Sequence, residues 1–149
     1  MSPDSTRPAI HCCYIDTYDG KTAIIATDGY KMVILTDESF SVLEPGTIIP
    51  FDSLNVWYKL ASAKHFLNAE DISIMCTISE AVYPDYKKAL LPDEHKHPIS
   101  GFGVNGEFVK TLETLSGVHL WFETYGDAQP MIARHNDNIY VLMPYRKPK

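Results

Sequence analysis

The sequence predicts an α+β domain in which two helices pack on curved antiparallel sheets. Three observations lead there. Strand-like runs arrive in groups separated by tight-turn residues, from Ala9 to Leu35 and again from Val118 to Met143. Between the groups, apolar residues fall at helical spacing twice, first at Leu54, Trp57, Tyr58 and Leu60 with Ala61 and Ala63, then at Phe108, Val109, Leu112 and Leu115. Helices do not recur between most strands, which disfavours a doubly wound parallel sheet. A sheet with an apolar face must cover it with a second layer, and the helices supply that layer.

Each element has a local reason. Residues 1–8 are polar and interrupted by Pro3 and Pro8, a flexible leading segment without the apolar centre of a secretion signal. Ala9 to Ile15 is expected as the first strand and Asp16 to Gly20 as its turn. Lys21 to Ala26 and Tyr30 to Leu35 follow as strands, joined at Asp28-Gly29, where glycine supplies positive φ without steric cost. Gly46 to Pro50 is a short strand that Pro50 ends, because proline brings no N–H to the ladder. A helix from Asp52 to about Phe66 comes next, with Asp52 or Ser53 as its N-cap. Ile72, Ile74 and Cys76 or Ile78 alternate in a strand between Asp71 and Ser79. Tyr83 to Pro92, bracketed by Pro84 and Pro92, is expected as an edge strand or a crossing connection, and Asp93 to Pro98 as a link. Ile99 to Val104 restarts a strand, Asn105 caps the second helix, and Ser116-Gly117 ends it. Val118 to Phe122, Pro130 to Ala133 and Ile139 to Met143 complete the strands, with turns at Asp127 and at Asn136 to Asn138. By element order the second helix and its strands form a fuller copy of the first, an internal pseudo-duplication within residues 9–146.

Composition narrows the function classes. A chain of 149 residues with 45% hydrophobic content suits one soluble core, and no apolar run approaches the roughly 20 residues that span a bilayer. A cytoplasmic protein is expected. The net charge of −6 opposes unspecific association with nucleic acid unless the positive groups gather on one face. Cys12, Cys13 and Cys76 show no zinc-like pairing; adjacent Cys12 and Cys13 should point to opposite faces of a strand, one buried and the other exposed. His95 and His97 make an incomplete metal site, so no metal or cofactor is expected. Ser53, Ser62, Ser100 and Ser116 are not in a nucleophile elbow, no glycine-rich phosphate loop precedes a Lys-Ser or Lys-Thr pair, and no His-Glu metallohydrolase pattern occurs. Asp16, Asp19 and Asp28 sit at turn positions that backbone chemistry explains. An enzyme is not expected.

Three segments stand out. They are Ala26-Thr27-Asp28-Gly29-Tyr30-Lys31-Met32, then Tyr83-Pro84-Asp85-Tyr86-Lys87-Lys88-Ala89-Leu90-Leu91-Pro92, and the ending Tyr140-Val141-Leu142-Met143-Pro144-Tyr145-Arg146. With Gly101-Phe102-Gly103-Val104-Asn105 and its helix, they resemble, in the same order, motifs of the bacterial replicative sliding clamp, the DNA polymerase III beta subunit. The resemblance covers most of residues 10–146 and implies a DNA-clamp-like processivity fold. It also has departures. Tyr30 stands where the family has histidine, Lys31 where it has arginine, and the basic tail 147–149 where it has a terminal leucine. A complete clamp subunit has three such domains, and this chain has room for one, spanning middle- and final-domain motifs.

The resemblance implies a pocket for clamp-binding peptides built from Tyr30 and Met32, from Pro84, Lys88 and Ala89, and from Val141, Met143, Pro144, Tyr145 and Arg146. Methionine and tyrosine suit that role as adaptable apolar contacts, with Lys or Arg at the rim for a peptide carboxylate or glutamine. It also implies that helices face double-stranded DNA in a central channel, for which Lys59, Lys64 and Lys110 are the helical candidates. The expected function is non-enzymatic: a clamp-like homo-oligomer in DNA replication or processivity with a peptide pocket. The alternative is a regulatory protein of a phage or mobile element that captures clamp-binding peptides of polymerase or repair proteins without encircling DNA.

Overall fold

Turn residues set the first hairpin. Asp19 and Gly20 both adopt positive φ, 48° and 75°, the handedness that lets a two-residue turn match the twist of its strands. The strands it joins, β1 (Cys12–Tyr18) and β2 (Lys21–Thr27), pair antiparallel from Cys13↔Ala26 to Tyr18↔Lys21. The first strand therefore runs later than its expected end at Ile15, because Asp16 and Thr17 continue the ladder opposite Ala23 and Thr22. Gly29, at φ 87°, makes the next turn, its N–H donating to Thr27 Oγ1 at 3.1 Å.

A computed structural model of the chain describes residues 10–55, 82–90, 103–126 and 129–145. The further strands are β3 (Lys31–Thr36), β4 (Ile48–Pro50), β5 (Glu123–Thr124), β6 (Met131–His135) and β7 (Asn138–Leu142). Residues 51–55 begin a helix, α1, and Gly106–Ser116 forms α2. The strands make one sheet in the order β4-β1-β2-β3-β7-β6-β5. The expectation of curved sheets is overturned: this is a single open antiparallel sheet, neither closed nor strongly curled. Among the described strands the order ends at β4 on one side and at β5 on the other, so no pairing closes it.

Several expectations lie outside the described residues. These are the leading residues 1–8, the helix beyond Asn55 with Lys59 and Lys64, and the strand from Asp71 to Ser79 with Cys76. Pro92, the link with His95 and His97, Asp127, Arg146 and the tail 147–149 lie outside them as well.

The chain divides into two compact units, Met1–Gly29 with Leu35–Pro84 and Tyr30–Ile34 with Asp85–Lys149. In the first, β1 is flanked by β2 and β4, with Cys13 opposite Ile49 and Tyr14 opposite Ile48. Its core holds Cys12, Cys13, Ile15, Ala23, Ile25, Ile48 and Ile49. Both adjacent cysteines are thus buried, which corrects the expectation that one would be exposed. The alternation is real, but β1 has neighbours on both edges and cover on both faces at this point. Tyr83 stacks on Tyr14 with ring centroids 5.1 Å apart, and its hydroxyl donates to the Ile25 carbonyl at 3.3 Å.

In the second unit, β7 is buried on both faces from Ile139 to Leu142. Helix α2 is set by local chemistry. The Asn105 side chain accepts from the Glu107 N–H at 3.0 Å, and Gly117, at φ 72°, closes the other end by donating to the Glu113 carbonyl. Leu112 is the helix's buried residue, worth about 1.5–3 kcal/mol as a fully buried side chain. One expectation is narrowed here and another changes. Of the two alternatives for Tyr83 to Pro92, an edge strand or a crossing connection, the described part fits the second: Tyr86–Ala89 is a short 3-10 turn, consistent with prolines that cannot feed a ladder. Val118 to Phe122 has strand-like alternation but makes no ladder among the described residues; Glu123 and Thr124 pair with β6, and Trp121 is 90% exposed.

Burial raises the Cys12 thiol above its ordinary ionisation and pushes Cys13 from 9.0 to about 11. In a folded protein whose thiol holds its proton to higher pH, stability is fully present below pH 9.0 and falls as pH rises from 9.0 toward 11. On a Cys76→Ser background, urea unfolding at pH 8 and pH 10 is expected to show a larger loss of stability with Cys13 present than with Cys13→Ala. Equal losses would show that Cys13 is not buried in this way.

Candidate functional site

The candidate site grows from the β3–β7 ladder. Lys31 pairs with Leu142, Met32 with Val141, Val33 with Tyr140 and Ile34 with Ile139. Paired residues in an antiparallel ladder share a face, so Met32 and Val141 lie together, and Ile132 of β6 joins them opposite Val141. All three are buried. One step beyond the ladder the Met143 N–H donates to the Tyr30 carbonyl at 2.8 Å, so the pairing register continues to Tyr30 and Met143. Two residues further, Tyr145 bridges to Gly103: its N–H donates to the Gly103 carbonyl at 2.7 Å and its carbonyl accepts from the Gly103 N–H at 3.3 Å. The segment leaving β7 is therefore held on one side by Tyr30 and on the other by the chain entering α2.

Side chains add to that frame. The Tyr30 ring stacks with Phe108 of α2, centroids 5.9 Å apart and planes 30° apart, and the Lys31 ammonium lies 4.4 Å over the same Phe108 ring. Tyr30 and Tyr145 are each 50% exposed and Met143 36%. The Phe108 ring is thus shared by Tyr30 and the Lys31 ammonium, while Met143 and Tyr145 follow on the segment that Tyr30 and Gly103 hold.

Not every expected residue joins this group. Met32 and Val141 are core residues beneath it rather than open surface. Pro144 is half-buried between Met143 and Tyr145. Lys88 is exposed and pairs with Asp85 at 3.3 Å across the 3-10 turn, a surface ion pair worth about 0–1 kcal/mol. Ala89 is half-buried at the end of that turn, Pro84 is exposed just before it, and Arg146 lies outside the described residues. Of the proposed DNA-facing lysines, Lys110 is exposed on α2, whereas Lys59 and Lys64 lie outside the described residues.

Sequence reasoning missed Phe108. Its place in the apolar pattern of α2 marked it as ordinary core, and only the spatial neighbourhood of Tyr30 and Lys31 reveals the other contact. A usable signal was its position three residues after the Asn105 cap, the first helical turn nearest the Gly103 bridge. Among the described residues, no group of three or more His, Cys, Asp or Glu side chains could hold a metal ion.

With this geometry in hand, the chain is similar in fold to bacterial sliding clamps. The beta sliding clamp of Caulobacter crescentus, solved with PEG bound, has a TM-score of 0.67 at 15% identity over 98% of this chain and 60% of that one. The DNA polymerase sliding clamp of Pseudomonas aeruginosa, solved with a ligand, gives 0.68 at 12% over 99% and 61%. The sliding clamp of Bartonella birtlesii, a DNA polymerase III subunit beta bound to griselimycin, gives 0.64 at 16% over 98% and 61%. At these identities the likeness is one of fold. The chain spans about three fifths of the length of these clamps. No family model matches it, and no curated protein matches it in sequence.

The Tyr30–Phe108 contact has a measurable size. A double-mutant cycle of Tyr30→Ala and Phe108→Ala, read by urea unfolding, is expected to give a coupling of about 0.5–1.5 kcal/mol. Additive effects would mean that the two rings do not stack in solution.

Proposed function

We propose that this chain is a non-enzymatic clamp-fold protein of the cytoplasm that acts in DNA replication or processivity. It assembles as a homo-oligomer and holds peptides of polymerase or repair proteins on the surface around Tyr30. The observation that carries this reading is the junction at Tyr30. Its carbonyl fixes Met143, its ring meets Phe108, and Tyr30, Met143 and Tyr145 leave large apolar side chains exposed as neighbours. Soluble monomers seldom leave such groups clustered without a use. The similarity of the fold to bacterial sliding clamps supports placing that use in replication.

The mode of binding follows from the backbone. Around Met143 to Tyr145 the chain offers little to an added strand: the Met143 N–H is taken by Tyr30, both Tyr145 backbone groups are taken by Gly103, and Pro144 has no N–H. A peptide is then recognised by its side chains, with apolar anchors against Tyr30, Met143 and Tyr145 and the rim lysines placing polar groups. No chemistry is required of any residue; the work is geometry. Lys110, with Lys59 and Lys64, would supply the sequence-independent attraction to duplex DNA if copies close around it.

Met143→Glu should lower affinity for a labelled clamp-binding polymerase peptide at least about tenfold with the circular dichroism spectrum unchanged, because the position is exposed. Light scattering over a wide concentration range should give a discrete multiple of the chain mass. Unchanged peptide affinity would reject the site, and a monomer at every concentration would reject the assembly.

A further inference from the structure

The segment leaving α2 runs like a strand but lacks a neighbouring strand over most of its length. From His119 to Thr124 exposure alternates residue by residue, the period of an extended chain: His119, Trp121 and Glu123 are exposed, and Leu120, Phe122 and Thr124 are half-buried. Glu123 and Thr124 pair with β6 and end the sheet order, and among the described residues Val118 to Phe122 join no ladder. The Leu120 N–H is held within the unit, donating to Glu113 Oε1 at 3.1 Å. Successive N–H groups of an extended chain point to opposite edges, so those of His119 and Trp121 point to the other one. Proteins commonly blunt such an edge with lysine or proline. The run Val118-His119-Leu120-Trp121-Phe122-Glu123-Thr124 contains neither, and Leu115, Val118 and Trp121 leave large apolar side chains exposed along it.

We infer that this edge pairs with the same edge of a second copy, antiparallel and centred on Trp121; the inference names the surface of the homo-oligomer proposed above and rests on that reading. The edge is complementary to itself. With Trp121 opposite Trp121 of the partner subunit, Leu120 meets the partner's Phe122, Val118 the partner's Thr124 and His119 the partner's Glu123. Apolar groups then face apolar groups, β-branched residues face each other, and imidazole faces carboxylate, all pairings that favour a ladder. A shift of two residues in either direction sets Trp121 against His119 or Glu123 and leaves the other of these two opposite Gly117 or Tyr125. The side-chain contacts already made fit the pairing. His119 Nδ1 lies 3.3 Å from Glu113 Oε1, which leaves Nε2 for the partner, and Glu123 accepts from the Tyr125 hydroxyl at Oε2, which leaves Oε1. Tryptophan at the centre supplies the large apolar contact that dominates many interfaces. Because both copies use the same surface, the contact stops at two.

Sedimentation equilibrium of the full chain should therefore fit a monomer–dimer equilibrium. Trp121→Arg, at an exposed position, should raise the dimer dissociation constant at least about tenfold. Glu123→Lys and His119→Glu should each raise it about three- to tenfold by breaking the cross-strand pair, and the double variant, which restores opposite charges, should return it to within about twofold of the wild type. Circular dichroism and thermal midpoints check that each variant folds. Where one does not, Trp57→Phe gives a second readout on an unaltered edge: the emission of Trp121 should move to the blue as the chain is concentrated through the dimer range, and a dimer with unmoved emission would overturn the pairing. A wild-type dimer indifferent to Trp121→Arg, an oligomer larger than two, or a double variant that fails to recover what the single changes remove would also overturn it while leaving the assembly reading standing. A monomer at every concentration would remove both.

Discussion

The second unit depends on one pairing, the antiparallel ladder of Lys31–Ile34 with Ile139–Leu142. It joins segments more than a hundred residues apart in sequence, so its closure entropy must be met by burial. Both strands meet that demand. Met32, Val33 and Ile34 are buried, and so is every residue from Ile139 to Leu142. The ladder sets the register in which Tyr30 meets Met143 and brings Lys31 over the face of the Phe108 ring. A slip of one residue would turn each of these side chains to the opposite face.

The surface around Tyr30 divides labour between rigid and adaptable parts. Backbone hydrogen bonds to Tyr30 and Gly103 fix the path of Met143 to Tyr145, while the Tyr30, Met143 and Tyr145 side chains stay exposed. Beneath them, Met32, Val141 and Ile132 fill the core. A substitution there would act through stability, whereas one at Met143, on the proposed reading, would act on peptide affinity with little effect on stability. That separation lets the two roles be told apart experimentally.

What was legible in the sequence was local. Asn105 and Gly117 bound α2 as capping chemistry requires, and Asp28-Gly29 turns where a positive φ is needed. The hidden features were set by distant partners. Nothing near Val118 to Phe122 says that its alternation will find no ladder among the described residues, because that depends on how far β6 extends alongside it. Cys12 and Cys13 alternate as a strand requires, yet both are buried, which the residue types alone do not announce. Of the expected site residues, Tyr30, Met143 and Tyr145 come together by ladder and bridge; Met32 and Val141 lie in the core; Phe108 enters from a helix whose periodicity gave no hint of it.

The most direct measurement is amide hydrogen exchange at Met143 and Tyr145 in the native protein. If the ladder carries through Tyr30 and the Gly103 bridge closes behind it, both amides should be protected to within about tenfold of the slowest β7 amides. Exchange of Met143 and Tyr145 at the rates of an unstructured peptide, with β7 still protected, would contradict the account, because the surface around Tyr30 would then have no fixed frame.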